Sequence, residues 1–460
     1  MKQELIISIS GMRGIIGENL TPETACQYGI AFGTFLREQA PAGTKRLSVA
    51  MGRDSRPSGA MLFGAMASGL CSAGVDVIDL GILSTPGVGI GLRHLGCAGG
   101  VVITASHNPV EYNGIKLLTD EGLAPPKAVA EEIRRRYFEK QFSRVSSVQC
   151  GQIRRDETIC RVHTDRVLGI VEVDVVAKRK FRVVLDSVNG AGGVEGLRLL
   201  ESLGCGIVPM NIEPTGLFAH KPEPTEENLA SLCQRMRSAG AQIGFAQDPD
   251  ADRVAIVDEN GRYIGEEFSL ALAAMLRFSQ QPGGTAAANL STSRMIDDIA
   301  AKFGGRVIRT PVGEAHVAKA MKEHDCMIGG EGNGGIIDLR VGPVRDSLVG
   351  MGLVLQLMAE TGKSVGQLAD ELGGYTMVKT KYPADKTQAQ QIIDKTLRVY
   401  PDAEVNTSDG CRLDLKDGWI HIRTSNTEPI MRVIFETKDP QAGEAYRGQL
   451  EAICKEVLRS

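Results

Sequence analysis

Residues 46–80 read RLSVAMGRDSRPSGAMLFGAMASGLCSAGVDVIDL, a β-branched run, a polar loop, an Ala/Leu-rich stretch, a glycine and a second β-branched run. A similar order recurs in FRVVLDSVNGAGGVEGLRLLESLGCGIVPM at 181–210 and in GTAAANLSTSRMIDDIAAKFGGRVIRT at 284–310. Such alternation of strand and helix patterns is typical of α/β domains. We therefore predict three related α/β domains, although any three strand–helix–strand units share this general pattern.

The predicted turn glycines of the three repeats are Gly74, Gly204 and Gly305, and their spacing is that of domains rather than of a solenoid. After about residue 370 the pattern changes to short alternating strands and two helical stretches, the last from Gln441 to Leu458. This change predicts a smaller C-terminal α+β domain. The predicted boundaries are 1–150, 151–255, 256–370 and 371–460.

The bulk composition limits the classes of partner. The chain has 460 residues and a formal net charge of -4, with acidic and basic residues interspersed, so no overall field attracts nucleic acid or an anionic membrane. No apolar run approaches the roughly 20 residues that cross a bilayer. The ten cysteines have no C-x-x-C spacing. We expect a cytoplasmic protein with reduced, mostly buried thiols.

The first candidate site is the polar turn from Thr104 to Pro109 in GGVVITASHNPVEYNGIKLL, directly after a buried-type strand. Ser106 lies in this turn, His107 can carry a proton and Lys116 supplies a positive charge nearby. These groups suit a hydroxyl that carries a phosphoryl group. The alternative is a turn closed by Asn108-Pro109 without a chemical role.

Three aspartates, Asp248, Asp250 and Asp252, follow an apolar strand in AQIGFAQDPDADRVAIVD. Pro249 disfavours a helix, so alternate side chains converge on one side of the backbone. Clustered carboxylates repel one another unless a cation lies between them, and Mg²⁺ prefers such oxygen ligands. An EF-hand would need glycine where Arg253 stands. A solvated acidic turn is the remaining alternative.

A third candidate site is the turn in IHIRTSNTEPIMRVIFE, between two alternating strands. Its residues are Arg423, Thr424, Ser425, Asn426 and Thr427. Hydroxyls, turn amides and a guanidinium on one side form an anion cradle, which suits phosphate better than carboxylate and to which Arg432 can add charge. A hairpin turn with ordinary Ser, Asn and Thr preferences fits equally well.

Three further segments offer weaker signals. In MIGGEGNGGIID, Glu331 and Asn333 lie between glycines and can read sugar hydroxyls, although a Gly-rich bulge fits equally well. Near the N-terminus, Arg13 in ISGMRGIIG can present a guanidinium to a substrate. Arg53 and Arg56 in GRDSRPSG can do the same, with a structural turn or cap as the default for all three arginines.

Together these segments resemble the α-D-phosphohexomutase superfamily over essentially the whole chain. TASHNP resembles its phosphoserine loop, DPDADR its metal loop, GEGN its sugar loop and RTSNTEP its phosphate loop, in the family's order. Four ordered matches are far more specific than one. The resemblance implies four domains around a central cleft and the interconversion of hexose 1-phosphates and 6-phosphates.

The resemblance also implies roles for individual residues. The implied catalytic residues are Ser106, His107, Lys116 and Arg13. One Mg²⁺ per active site would be held by Ser106, Asp248, Asp250 and Asp252. The implied substrate-binding residues are Arg253, Glu331, Asn333, Arg423, Ser425, Asn426, Thr427 and Arg432. The phosphoserine would give its phosphoryl group to the sugar, and hexose 1,6-bisphosphate is the expected activator.

Two positions depart from the family pattern. Gly335 stands where many members end the sugar loop with histidine, and Glu314 stands where some carry histidine after the glycine of the other loop. Three groups, Lys116, His107 and His316, therefore remain candidates for proton transfer.

The sugar and the reaction each have alternatives. The EGNGG form resembles a subgroup of phosphoglucosamine and phosphomanno-/phosphoglucomutases, and acidic Glu314 or Glu331 near a C2 ammonium favours glucosamine phosphate over mannose or glucose phosphate. A metal-dependent sugar-phosphate phosphatase would need water at the phosphoserine, and a sugar-phosphate-binding regulator would bind without turnover. We expect hexose phosphates as partners, no nucleic acid or membrane, and a monomer or homodimer.

Overall fold

The computed structural model describes residues 5–8, 11–41, 43–44, 46–424 and 430–458. The chain forms two compact units. Unit 1 comprises Met1–Ser269 and Gly334–Gly366, and unit 2 comprises Leu270–Asn333 and Gln367–Ser460. The chain therefore passes between the units at three points, and neither unit is a single continuous stretch.

The strands and helices of the described residues alternate along most of the chain. The strands are β1 Ile6–Ser8, β2 Gly11–Ile15, β3 Leu47–Arg53, β4 Val75–Ile82, β5 Gly99–Ile103, β6 Tyr112–Thr119, β7 Ile153–Arg155, β8 Arg182–Asp186, β9 Gly206–Met210, β10 Ile243–Gln247, β11 Val254–Val257, β12 Thr285–Asn289, β13 Arg306–Thr310, β14 Ile328–Glu331, β15 Gly335–Ile337, β16 Thr376–Pro383, β17 Glu404–Asn406, β18 Cys411–Asp414, β19 Gly418–Thr424 and β20 Ile430–Thr437. The α-helices are α1 Pro22–Gln39, α2 Gly59–Ser72, α3 Thr85–His94, α4 Lys127–Phe138, α5 Ile159–Leu168, α6 Val173–Ala177, α7 Gly193–Ser202, α8 Ala230–Ala239, α9 Glu267–Gln280, α10 Met295–Lys302, α11 Glu314–Glu323, α12 Ser347–Thr361, α13 Val365–Leu372, α14 Lys386–Val399 and α15 Pro440–Leu458.

Unit 1 contains two sheets. The first has the order β1-β2-β6-β5-β3-β4-β7, with β5, β3, β4 and β7 parallel and the other pairs antiparallel. Alternate residues of β3 enter different cores: Val49 and Met51 pack with α1, α2 and α4, whereas Ala50 packs with α3. Helices therefore cover both faces, as expected for a largely parallel sheet.

The second sheet of unit 1 has the order β11-β10-β8-β9, and only β11 is antiparallel to its neighbour. The segment Gly334–Gly366 completes this part of the unit, because α12 packs against α5, α6 and α7. Residues Ser347 to Met358 of α12 are all buried. An all-round apolar helix of this kind is stable only when protein surrounds it.

Unit 2 contains the parallel strands β13, β12 and β14 and a separate antiparallel sheet with the order β16-β20-β19-β18-β17. Helices α14 and α15 pack on the antiparallel sheet around a core that includes Ile392, Ile420 and Leu450. This is the predicted smaller α+β domain, and its last helix confirms the helical stretch expected from Gln441 to Leu458.

The predicted repeat is confirmed as three parallel strand–helix–strand units. They are β3-α2-β4, β8-α7-β9 and β12-α10-β13. Gly74 and Gly204 have the positive φ of turn glycines, but in the third repeat Gly304 has it rather than Gly305. The molecule is thus an α/β protein with three related α/β domains and a C-terminal α+β domain.

Two other expectations concern the chain as a whole. Among the residues whose structure is described, no helix combines the length and apolarity needed to cross a membrane. The ten cysteines are unpaired, four are buried, and Cys150 is exposed.

Candidate functional site

The Ser106 turn lies at the carboxyl end of the central strand β5. Ser106 is 4% exposed and has φ 51°, a left-handed conformation that costs a residue with a Cβ about 1–3 kcal/mol. Its amide donates a hydrogen bond of 2.9 Å to Thr104 Oγ1. The Ser106 hydroxyl points to the aspartate loop and donates to Asp248 Oδ2 at 3.1 Å.

Arg56 and Asp54 support the Ser106 turn through buried contacts. The Arg56 side chain is fully buried and paired with Asp54, and its Nη2 donates to the carbonyls of Ser106, at 2.9 Å, and Asn108. Asp54 Oδ2 also accepts from Thr104 Oγ1 at 2.6 Å. Burial raises the pKa of Asp54, although the positive charge of Arg56 opposes this shift. The Arg56 guanidinium therefore binds backbone carbonyls of the Ser106 turn and is not exposed to solvent.

The three aspartates form a buried cluster after β10. Asp248, Asp250 and Asp252 each place a carboxylate oxygen within 4.8 Å of the other two. Ala251 has φ 52°, which turns the loop sharply enough to bring the three side chains together. The spacing in sequence therefore produces the convergence that was predicted.

The pKa values of Asp248 and Asp250 are shifted in opposite directions. Burial and the neighbouring Asp252 and Asp250 carboxylates raise the pKa of Asp248 well above its ordinary value. Burial acts in the same direction on Asp250, but Lys116 and the hydroxyl of Thr85 prevail and lower the pKa of Asp250. Asp250 Oδ1 and Asp252 Oδ1 are buried and accept no hydrogen bond from the described residues.

These oxygens fit a divalent metal ion. Three carboxylates and the Ser106 hydroxyl supply hard oxygen ligands, and two of the buried carboxylate oxygens accept no hydrogen bond from the described residues. Without a cation, buried like charges at this separation are costly. The donor set suits a hard cation such as Mg²⁺ better than a thiophilic metal.

Basic side chains surround the cluster. Lys116 Nζ pairs with Asp250 Oδ2 at 2.7 Å; burial lowers the pKa of Lys116, but Asp250 and Asp252 outweigh this and raise it. Arg13 Nη1 lies 3.4 Å from Asn108 Oδ1 in the Ser106 turn. The cluster therefore has fixed positive charge close to the serine.

His107 Nδ1 lies 3.4 Å from Ser106 Oγ. Burial lowers the pKa of His107 to about 3, and the positive charges of Arg253 and Arg13 act in the same direction. Arg253 donates its backbone amide to Asp248 Oδ1 at 3.2 Å, and its side chain lies 3.6 Å from Asp252 Oδ1. The histidine is thus neutral at pH 7 and carries no part of the positive charge.

Two residues that contact the cluster have no local sequence pattern that predicts this contact. Thr85 Oγ1 donates to Asp250 Oδ2 at 2.6 Å, and Arg345 Nη2 pairs with Asp252 Oδ2 at 2.5 Å. Thr85 begins α3 and Arg345 precedes α12, so each comes from a segment far from the aspartates in sequence. A hydroxyl at a helix start and an arginine before a helix are common features without functional meaning.

The predicted sugar-binding residues lie in unit 2, at the end of β14. Glu331 is 4% exposed, and its Oε1 accepts from Asn289 Nδ2 at 2.7 Å and from the amide of Gly313 at 2.9 Å. Asn333 Oδ1 is buried and accepts no hydrogen bond from the described residues. Glu331 therefore fixes the turn that precedes Glu314, the first residue of α11.

Arg423 and Arg432 stand directly opposite each other on β19 and β20, and Lys381 on β16 is the next neighbour of Arg432 in the same row. Arg423 Nε donates to Asp409 Oδ2 at 3.0 Å. Like charges in opposite cross-strand positions are destabilising unless an anion compensates them. Lys381 was not predicted, and Ser425, Asn426 and Thr427 lie outside the described residues.

The candidate residues are divided between the two units. Unit 1 holds the described Ser106, His107, Lys116, Arg13, Asp248, Asp250, Asp252 and Arg253, and unit 2 holds the described Glu331, Asn333, Arg423 and Arg432. Of the three candidates for proton transfer, Lys116 and His107 lie in unit 1, and His316 lies on α11 of unit 2.

Family models of phosphoglucomutase/phosphomannomutase match successive parts of the chain. The alpha/beta/alpha domains I, II and III match residues 5–144, 161–261 and 265–375, and the C-terminal domain matches 377–453. A phosphoglucomutase/phosphomannomutase of Thermococcus kodakarensis is 40% identical over 444 residues, which is 95% of each chain. A probable phosphoglucosamine mutase of Methanopyrus kandleri is 35% identical over 98% of each chain.

A solved structure gives the same result. The crystal structure of a phosphoglucomutase/phosphomannomutase family protein from Burkholderia thailandensis matches with a TM-score of 0.84 and 27% identity, over 98% of each chain. The chain belongs to the α-D-phosphohexomutase superfamily. It is a phosphohexomutase, an enzyme that interconverts hexose 6-phosphates and hexose 1-phosphates.

Proposed function

We propose that the enzyme transfers phosphoryl groups through Ser106 and that glucosamine phosphate is its preferred substrate. The observation that carries the first part is the Ser106 hydroxyl, held in a strained turn 3.1 Å from Asp248 in a buried three-aspartate cluster. An unreactive serine would need neither the left-handed backbone nor, beside it, buried carboxylate oxygens that accept no hydrogen bond.

The proposed chemistry starts from the Ser106 phosphoester. The bond between Ser106 Oγ and phosphorus breaks as a bond forms from phosphorus to the free hydroxyl of the bound sugar phosphate. The proton of that hydroxyl goes to a base, for which His107 and His316 are the candidates, because Lys116 is proposed here as the ammonium paired with Asp250. Positive charge from Lys116 and Arg13 offsets the charge on the transferring oxygens.

Mg²⁺ is the proposed metal, one per active site. Asp248, Asp250, Asp252 and an oxygen on Ser106 would hold it. When bound, it supplies positive charge that stabilises the phosphoryl oxygens during transfer. Thr85 and Arg345 keep two of the aspartates in place from outside the ligand set.

The second half of the reaction returns a phosphoryl group to Ser106. The first transfer yields a hexose 1,6-bisphosphate, which must turn end for end so that its other phosphate reaches the serine. The same bisphosphate is the proposed activator, because it can phosphorylate an empty Ser106. The row of Arg423, Arg432 and Lys381 is proposed to bind the phosphate that does not react.

Other proposed binding residues contact the sugar or its phosphate. Arg253 is proposed for the substrate, Glu331 and Asn333 for the sugar, and Ser425, Asn426 and Thr427 for the phosphate. The preference for glucosamine rests on the carboxylates of Glu314 and Glu331, which attract a C2 ammonium. Phosphomannomutase and phosphoglucomutase activity is the alternative within the same mechanism.

We also infer four domains with boundaries near 1–150, 151–255, 256–370 and 371–460. The enzyme is proposed to act on free hexose phosphates in the cytoplasm, as a monomer or a homodimer. Size-exclusion chromatography with light scattering measures the oligomeric state.

A coupled mutase assay tests the proposal on the phosphates of glucosamine, mannose, glucose and N-acetylglucosamine, with Mg²⁺ and catalytic hexose bisphosphate. Ser106→Ala should remain folded and lose nearly all activity, and its intact mass should lack the phosphoryl group of the native chain. Wild-type turnover by Ser106→Ala would refute the mechanism. Equal turnover of glucosamine and glucose phosphates would refute the sugar preference.

The same assay separates the rival functions. A phosphatase would release inorganic phosphate without isomerising the sugar. A sugar-phosphate-binding regulator would bind hexose phosphate and turn over none of the four substrates.

A further inference from the structure

His163 on α5 is buried at 0% exposure and is not part of the proposed chemistry. Its Nδ1 lies 2.7 Å from Glu195 Oε1, and its Nε2 lies 2.7 Å from Asp346 Oδ2. The two carboxylates come from other parts of unit 1: Glu195 from the first turn of α7, and Asp346 from the N-cap of α12. One imidazole ring therefore joins three helices.

The arrangement requires a doubly protonated ring. Two carboxylate oxygens at hydrogen-bond distance can each accept a hydrogen bond only if both ring nitrogens donate. Burial lowers the pKa of His163, but Asp346 and Glu195 outweigh it and raise this pKa to about 10. Each carboxylate also lies at a helix N-terminus, where negative charge is favourable.

Hydrogen bonds at the start of α3 connect Glu195 to Asp250. Glu195 Oε2 accepts the backbone amide of Ser84 at 2.9 Å, and the Ser84 hydroxyl caps α3 by accepting from the amide of Gly87. The next residue, Thr85, donates its amide to the Asp250 carbonyl at 2.9 Å and its hydroxyl to Asp250 Oδ2 at 2.6 Å. Glu195 therefore fixes the start of the helix that holds Asp250.

Asp346 is connected to Asp252 through its neighbour in sequence, Arg345. Asp346 Oδ1 accepts the amides of Leu348 and Val349 at the start of α12, which leaves Oδ2 for His163. The preceding residue, Arg345, pairs with Asp252 Oδ2 at 2.5 Å.

The residue after Asp346 also reaches the aspartate loop. The amide of Ser347 donates to the carbonyl of Ala251, the strained residue between Asp250 and Asp252. Asp346 therefore fixes the start of α12, where Arg345 and Ser347 hold Asp252 and Ala251 of the aspartate loop.

We propose that His163 is a positioning residue for the three-aspartate loop: by joining Glu195 to Asp346 it fixes the two segments that hold Asp250 and Asp252, and so sets the affinity for the divalent cation. This inference rests on the proposed function, because it presumes a cation at the aspartates. Residues that orient metal ligands from outside typically change metal affinity or activity about 10–100-fold when they are replaced.

Isothermal titration of the full chain with MgCl₂ tests the inference. We expect His163→Gln to raise the Kd for Mg²⁺ about 10–100-fold. In the mutase assay the Mg²⁺ concentration for half-maximal rate should rise in parallel, while kcat at saturating Mg²⁺ and KM for the sugar phosphate stay near wild type. A purely structural role would lower the amount of active enzyme without moving the Mg²⁺ dependence.

Glu195→Gln is the second variant, because it keeps the shape of the side chain and removes one charge. It should shift the Kd in the same direction, and it keeps the test valid if His163→Gln does not fold. The matched control is His421→Gln, which replaces another buried histidine, bonded in unit 2 to Ser291 and to the Asp409 carbonyl. It should leave the Mg²⁺ Kd unchanged.

Two results distinguish the inference from the proposed function. In the first, the wild-type chain binds Mg²⁺ and Asp250→Asn abolishes binding, so the metal site stands. If a folded His163 or Glu195 variant then keeps its Kd within about twofold, a change of only about 0.4 kcal/mol, the positioning role alone is refuted. If Asp250→Asn leaves Mg²⁺ binding unchanged, the metal site itself is refuted, and the inference fails with it.

Discussion

Ser106 shows how a single residue depends on its surroundings. Its left-handed φ of 51° is unfavourable for serine, and the cost is offset because its amide donates to Thr104 Oγ1 and its carbonyl accepts from Arg56 Nη2. Arg56 and Asp54 in turn are buried together, so each satisfies the charge of the other. Replacement of either would leave an unpaired charge in the interior.

Arg56→Lys should lower kcat by about 100-fold, because an ammonium cannot reach Asp54 and two carbonyls at once and the Ser106 turn will shift. Steady-state mutase kinetics measure the loss. Arg93→Lys is the matched control, since Arg93 also donates to two backbone carbonyls, those of Gly89 and Val341, away from Ser106. An equal loss of kcat in both variants would contradict the role of Arg56.

His163 makes the stability depend on pH. The charged groups acting on it are Glu195 of α7 and Asp346 of α12, which raise its pKa in the folded chain to about 10, against about 6.5 for an unfolded histidine. Its contribution to the free energy of unfolding is therefore complete below about pH 6.5 and is lost as the pH rises towards 10.

Urea unfolding of the wild type and His163→Gln across this pH range measures the effect. The difference in free energy of unfolding between them should shrink steadily from pH 6.5 to pH 10. A difference that stays constant with pH would mean that the ring is not charged in the folded chain.

At the scale of elements, the serine and the aspartates of unit 1 follow the ends of strands. Ser106 follows β5 and Asp248 follows β10, and Lys116 is on β6 beside β5. Strand β6 lies between β2 and β5 and approaches both closely at Gly114. A Cβ on Gly114 would meet the carbonyl oxygens of Thr104 at 2.6 Å and Met12 at 2.8 Å.

Gly114→Ala should lower the free energy of unfolding by about 1–3 kcal/mol, because both contacts are backbone atoms that cannot rotate away. It should also lower kcat, since Thr104 supports Ser106. Gly64→Ala on α2 is the control: Gly64 is exposed, its Cβ would meet nothing within 4 Å, and alanine should stabilise the helix by about 0.5–1 kcal/mol. Urea unfolding measures both, and equal destabilisation would contradict the steric argument.

At the scale of the whole molecule, unit 1 is assembled from two separate stretches of chain. Its second stretch, Gly334–Gly366, supplies β15 and the buried helix α12. Ser269 and Gly334, which flank the intervening segment, are close in space. Ser269 Oγ donates to the carbonyl of Val254, and the Val254 amide donates to the carbonyl of Gly334. A short linker can therefore join Ser269 to Gly334.

A chain of residues 1–269, a short Gly/Ser linker and residues 334–366 should fold cooperatively and bind Mg²⁺ without mutase activity. Residues 1–269 alone should not fold, because the surfaces of α5, α6 and α7 that pack on α12 would be exposed. Urea unfolding and titration with MgCl₂ check both chains. Cooperative unfolding of residues 1–269 alone would contradict the dependence on α12.

Local patterns were sufficient to predict the α/β repeat and the convergence of the three aspartates. Strand and helix periodicity, glycine turns and the i, i+2, i+4 spacing act over a few residues, so they can be read directly from the chain. The resemblance of four ordered motifs then identified the family. One local detail was wrong: the third turn uses Gly304, because either glycine of the pair can adopt positive φ.

Other features depend on contacts between residues far apart in sequence. Thr85 and Arg345 meet the aspartates, Arg56 lies under Ser106, and His163 joins Glu195 to Asp346 across 32 and 183 residues. None of these residues has a local pattern that distinguishes it from an ordinary cap or core residue. Burial and pairing of charge are properties of the packed chain, so only the tertiary structure decided which buried groups support the aspartate loop.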